Sequence, residues 1–192
     1  SNSTGSINTF VGAWAGINNT NGSYNTITGT SAGFGLTTGS NNSIYGVYAG
    51  ASGFTPNFTG SYNSIFGAYA GNAITTGFEN VFMGSSSGVA NTTGNTNTFV
   101  GTISGLSNTT GANNTFLGHA SGKNNTTGTL NTFIGRNAGV ANTTGNNNTM
   151  IGEGTGYNAT AGSHNTFAGW VAGFNNQAIG NVFYGSQAGY SN

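Results

Sequence analysis

Six side chains carry the acid–base and charge chemistry of this 192-residue sequence outside its tyrosines: Lys123, Arg136, Glu79, Glu153, His119 and His164. Hydrolytic or group-transfer chemistry needs a nucleophile beside a base, or two carboxylates flanking one bond. The sequence has no Asp and no Cys, and its two Glu lie far apart. Two histidines without a thiolate or Asp make a poor metal-ligand set. No enzymatic activity, cofactor or metal is therefore expected. Two basic residues cannot neutralise a run of phosphates, so neither nucleic acid nor an anionic membrane surface is an expected partner. No apolar run approaches the ~20 residues of a membrane span. The sequence does not begin with Met and shows no signal peptide, so it reads as a mature or excised segment.

Only four residues carry full charge while 36 are Gly, which suggests low-complexity coil until the 23 aromatics are counted. Disordered chains combine high net charge with few aromatics. The spacing of the residues gives the explanation. Asparagine recurs at Asn8, Asn25, Asn42, Asn63, Asn80, Asn97, Asn114, Asn131, Asn148, Asn165 and Asn181, a period of 17 with one four-residue insertion and one deletion. The consensus is N-T-F-x-G-x-x-A-G-x-x-N-T-T-G-x-x, with that Asn in column one. Columns five, nine and fifteen hold 32 of the 36 glycines, leaving out only Gly35, Gly53, Gly154 and Gly180. Glycine is thus placed at fixed turns, for positive φ or for close backbone approach.

Column three is apolar in every copy: Phe10, Ile27, Ile44, Ile65, Phe82, Phe99, Phe116, Phe133, Met150, Phe167 and Phe183. Column eight is small in every copy, so a large residue faces a small one across a narrow interior. The segments between glycines are too short for helices and rich in β-formers. Each copy is expected to be one rung of an all-β solenoid, 17 residues per rung and about 11 rungs, forming a single domain over residues 1–192. At ~4.8 Å per rung the rod is on the order of 50 Å long. Column three is the expected core. The column-one asparagines are expected to form a buried amide ladder along the axis, whereas column twelve (Asn19, Asn91, Asn108, Asn125, Asn142, Asn176) reads equally well as a second ladder or as surface turn residues.

Strand alternation then turns columns two and four outward. Column two is mostly Thr; column four, almost unbroken in its apolar character, holds Val11, Tyr45, Phe66, Met83, Val100, Leu117, Ile134, Ile151 and Tyr184, with Thr28 and Ala168 in the other two copies. An apolar stripe of that length is expected to be covered by another copy of the chain or by a second layer of the same chain. Column ten, with Ile17, Phe34, Val89, Leu106, Val140, Tyr157, Phe174 and Tyr190, reads either as core or as a second contact stripe. His119, Arg136 and Glu153 share column six in successive copies, so Arg136 can pair with Glu153 as an ordinary surface charge. Asn-x-Thr triplets beginning at Asn91, Asn108 and Asn142 match glycosylation acceptors and, if used, would hydrate one edge of the rod. The insertion, about residues 51–59, is expected to be a bulged turn exposing Phe54 and Phe58. Ser1 and Asn2 occupy columns eleven and twelve, as do Ser191 and Asn192, without a polar cap at either end. Such ends suit a segment of a longer array or a subunit stacking through open strand edges.

The copies Asn131–Gly145 (N-T-F-I-G-R-N-A-G-V-A-N-T-T-G) and Asn97–Gly111 resemble the N-S-V-A-I-G repeats of trimeric autotransporter adhesin heads, and more closely the N-T-F-I-G-x-x-A-G repeats of bacterial surface and phage tail-fibre-like proteins. The resemblance spans all 11 copies and implies a left-handed β-roll with an extracellular or cell-surface role, adhesive or fibrous. Three functions follow as expectations. The first is an extracellular structural protein that self-associates into a filament. The second is a tail-fibre or adhesin head whose Trp14, Tyr48, Tyr69 and Trp170 stack on surface glycans. The third and least favoured is ice binding through the column-two Thr ladder, which the bulky Tyr45, Phe66 and Tyr184 beside it oppose.

Overall fold

The computed structural model describes residues 3–191; Ser1, Asn2 and Asn192, and with them the matching phase of the two ends, lie outside the described residues. Eleven three-residue strands are β1 (Thr9–Val11), β2 (Thr26–Thr28), β3 (Ser43–Tyr45), β4 (Ser64–Phe66), β5 (Val81–Met83), β6 (Thr98–Val100), β7 (Thr115–Leu117), β8 (Thr132–Ile134), β9 (Thr149–Ile151), β10 (Thr166–Ala168) and β11 (Val182–Tyr184). They form one parallel sheet in sequence order, and every pair is in column register, Phe99 against Phe116 and Val100 against Leu117. The chain is a β-solenoid of 17-residue rungs.

Only columns two to four are extended. From column five to column twelve the rung bends through successive tight turns, as in Ala15 N–H to Gly12 O, Ile17 N–H to Trp14 O and Asn19 N–H to Gly16 O. Between them, bonds such as Gly16 N–H to Ala32 O (3.0 Å) tie each rung to the next. The remaining contour is therefore a stack of turns rather than a second sheet.

The core is a single file of side chains. In column three, Ile27, Ile44, Ile65, Phe82, Phe99, Phe116, Phe133, Met150 and Phe167 are fully buried, while Phe10 and Phe183 in the first and last strands are half-buried. The Phe99, Phe116 and Phe133 rings stack with centroids 4.8 and 4.9 Å apart and planes within 6°, an arrangement worth roughly 0.5–1.5 kcal/mol per pair beyond burial. Column eight lines the interior with Ala or Ser, and with Thr155 in the ninth rung. Ser87, Ser104 and Ser121 each donate Oγ–H to the column-three carbonyl of the next rung at 2.9–3.1 Å.

The glycine columns answer to different constraints. Gly105, in column nine, has φ +58°, and a Cβ there would lie 2.5 Å from the Phe99 ring. Gly111, in column fifteen, has no positive φ; its Cβ would lie 2.3 Å from Asn108 Oδ1 and 2.5 Å from the Gly128 carbonyl. Left-handed backbone also occurs where no glycine announces it. Columns seven and seventeen are left-handed in every rung, through residues as bulky as Trp14, Tyr24, Tyr69, Ile103 and Leu130. Gly154 and Gly180, which stand outside the three glycine columns, occupy these two. Such a conformation costs on the order of 1–2 kcal/mol per non-glycine residue. It persists because each of these N–H groups other than that of Trp14, in the first rung, donates to the preceding rung, as in Ile103 N–H to Ser85 O at 2.9 Å and Leu130 N–H to Ala112 O at 3.1 Å.

Candidate assembly surfaces

The charged residues do not converge. Arg136 and Glu153 form an exposed ion pair between adjacent rungs, with His119 one rung before them in column six. A pair so open to solvent contributes little. Lys123 lies in column ten, Glu79 and His164 in column seventeen of different rungs. Among the described residues there is no cavity, no group of three or more His, Cys, Asp or Glu able to hold a metal ion, and no helix long and apolar enough to cross a membrane.

Two longitudinal features run the length of the rod instead. The first is column four, on the outer face of the sheet. Val11, Tyr45, Met83, Leu117, Ile151 and Tyr184 are exposed, and Phe66, Val100 and Ile134 are half-buried. Tyr45 and Phe66 stack at 4.9 Å. No charged residue or histidine occurs in column two or four across the 11 rungs. Column ten is mostly half-buried or exposed, with Ala51 and Val140 buried, and its rings stack where they are adjacent, Tyr157 on Phe174 at 5.2 Å and Phe174 on Tyr190 at 4.9 Å.

The second is the column-one ladder. Asn25, Asn42, Asn63, Asn80, Asn97, Asn114, Asn131, Asn148 and Asn165 are buried, with Asn8 and Asn181 half-buried. Asn114 represents eight of the buried nine; in Asn165 the Oδ1 accepts only the Asn181 N–H and the Nδ2 donates to Ala178 O. The Asn114 Nδ2 donates to Asn97 Oδ1 (3.2 Å) and to the column-fifteen carbonyl of Gly128 (2.8 Å). Its Oδ1 accepts from both the backbone N–H (3.0 Å) and the Nδ2 (3.2 Å) of Asn131. An amide has two donor hydrogens and two acceptor sites, and all four are used.

Column twelve resolves into two regimes. Asn91, Asn108, Asn125 and Asn142 form a second buried ladder with Nδ2–Oδ1 links of 2.7–2.8 Å. The carbonyl of Gly111 takes Asn97 Nδ2 from one ladder and Asn108 Nδ2 from the other. The triplet asparagines Asn91, Asn108 and Asn142 thus point inward, so the folded rod does not display them for glycosylation. In the second to fourth rungs the same column is apolar, with Leu36, Phe58 and Ile74 fully buried, while the first rung keeps a buried Asn19. Phe58 is where the structure departs from the sequence expectation. It is not exposed but fills the core of its rung, bridging to Leu36, while the extra residues bulge out ahead of it. Spacing alone does not place it: counting back three residues from Gly60, as from Gly39 to Leu36 and from Gly77 to Ile74, lands on Asn57, because the turn after Phe58 is one residue short.

Phe54 is exposed as expected, but it is not isolated. Its ring lies edge-on to Phe34 (5.4 Å) and Tyr48 (5.1 Å), and Tyr48 contacts Tyr69 (5.2 Å). Ser52 and Phe54 are the two non-glycine left-handed residues outside columns seven and seventeen. The turn is held by Thr55 Oγ1 on Ser52 O (2.7 Å) and by a Ser52–Asn57 side-chain bond. Trp14 and Trp170 sit in the first and tenth copies, far from this cluster and from each other. Comparison with protein-family models, with curated proteins and with solved structures gave no match to this chain.

Proposed function

We propose that this protein is a structural component of an extracellular or cell-surface fibre, built by rungs stacking end to end and by rods packing side by side. The observation that carries the reading is the column-four stripe, an uncharged apolar row on the outer face of a regular sheet. Its burial against a second copy removes exposed apolar surface at ~25 cal/mol per Å² and strands no charge. The stacked sheet supplies axial stiffness through backbone hydrogen bonds, and with four charges in the chain little of that cohesion is open to screening by salt. Negative-stain microscopy of the purified chain tests this: filaments of uniform width are expected, and short discrete trimers would replace this reading with a fibre-head one. Leu117→Glu with Ile134→Glu is expected to abolish side-by-side packing while circular dichroism stays that of the folded rod.

A glycan-binding adhesin or tail-fibre head is the second reading, favoured by the surface cluster of exposed Phe54 and Tyr69 with half-buried Phe34 and Tyr48. Glycan-array binding lost in Tyr48→Ala and Phe54→Ala would promote it, as would loss in Trp14→Ala or Trp170→Ala.

A further inference from the structure

We propose that copies of this chain join in one orientation only, the β1 edge of one copy against the β11 edge of another, with the asparagine ladder enforcing that polarity. The proposal rests on the filament reading and adds direction to it. Every column-one link runs the same way, the later rung donating N–H and, up to Asn165, Nδ2–H to the Oδ1 of the earlier one. The column-twelve links run the same way, Asn108 onto Asn91 and Asn142 onto Asn125. The rod therefore has unlike ends. At β1, Asn8 presents the backbone N–H and the Nδ2 hydrogen that in Asn25 to Asn165 meet a preceding Oδ1. At β11, Asn181 presents its Oδ1, and its buried Nδ2 has no partner.

A head-to-tail contact repeats the rung-on-rung interface that already joins all eleven strands, donor to acceptor and column to column. A twofold β1-to-β1 contact sets donors against donors at Asn8, runs the strands antiparallel and brings the glycine columns out of register. Buried donors left unpaired cost free energy, so the twofold contact is rejected. Head-to-tail contact is heterologous and does not close on itself, which gives an open filament rather than a dimer. Any further rung, from the same chain or another copy, meets the same constraint.

The insertion marks direction, because it lies in the third of eleven rungs. With no native cysteine, a Pro56→Cys chain can be labelled there with maleimide gold and its filaments imaged. Uniform label spacing of one subunit, on the order of 50 Å, is expected. Alternating spacings of roughly 25 and 80 Å would overturn the polarity and leave the filament reading standing. Unassembled chains at all concentrations would overturn both. Asn181→Leu checks the ladder itself. No hydrogen bond of the Asn181 side chain is formed inside the rod, and its backbone N–H still reaches Asn165 Oδ1 (2.9 Å). Its melting curve is expected to match wild type, while an equimolar mixture cuts filament length to a few subunits; unchanged length would sink the proposal.

Discussion

Columns one and twelve are both buried, both rich in asparagine, and both deliver an amide to the same column-fifteen carbonyl, yet column one is Asn in every rung while column twelve admits Leu36, Phe58, Ile74 and Ala159. The difference lies in the backbone. A column-twelve N–H already has a backbone acceptor, as in Asn108 N–H to Gly105 O (3.1 Å), Ile74 N–H to Gly71 O (3.1 Å) and Ala159 N–H to Gly156 O (3.1 Å). A column-one N–H has only the Oδ1 of the Asn one rung earlier, as in Asn131 N–H to Asn114 Oδ1. Apolar residues can replace the first asparagine, because only side-chain bonds are lost and the space is filled. Replacing the second orphans a buried peptide group, so the invariant residue is the one a neighbouring rung's backbone depends on.

Urea unfolding of single variants can break this comparison. Asn114→Leu strands Asn131 N–H, an Asn131 Nδ2 hydrogen and an acceptor site on Asn97, and is expected to cost at least about 3 kcal/mol at 1–3 kcal/mol per buried unsatisfied group. Asn108→Leu, in the other column, strands side-chain groups only and is expected to cost about 2 kcal/mol. Equal losses would remove the backbone explanation. Ala159→Asn tests the same rule in the opposite direction. Asn142 Oδ1 is buried without a partner, as are both amide atoms of Asn176, on either side of Ala159. An Asn there joins the ladder to Asn176, with an expected gain of about 1 kcal/mol; a loss would mean the corner cannot hold the amide. The smallest effect concerns strain. Leu130→Gly, at an exposed left-handed position, is expected to stabilise by up to ~1 kcal/mol while Leu130→Ala gains nothing. Equal effects would attribute the change to lost leucine surface instead.

The period, the inward column three and the column-one ladder could be read directly from spacing, because each restricts residue type in every rung. The left-handed columns could not. Residues at columns seven and seventeen are, after the first rung, held by bonds from their own N–H to the rung before, whatever their side chain, so Ile103 and Leu130 leave no trace of the φ they adopt. Column twelve was ambiguous because its asparagine is optional. Phe58 escapes the spacing because the insertion breaks the count ahead of it and the turn from Phe58 to Gly60 is one residue shorter than that from Leu36 to Gly39.

The 17-residue register also governs how the rod folds. Parallel sheets form slowly when their strands are distant in sequence and a long loop must close before any bond rewards it. Here each strand pairs with the next one in sequence, 16 to 21 residues on. A separation of 17 in 192 residues gives a relative contact order of about 0.09, inside the roughly 0.07–0.12 range of fast-folding helical bundles. Each rung closes a loop no longer than the last, so an all-β rod of any length can zip from one nucleus at a speed set by a single turn.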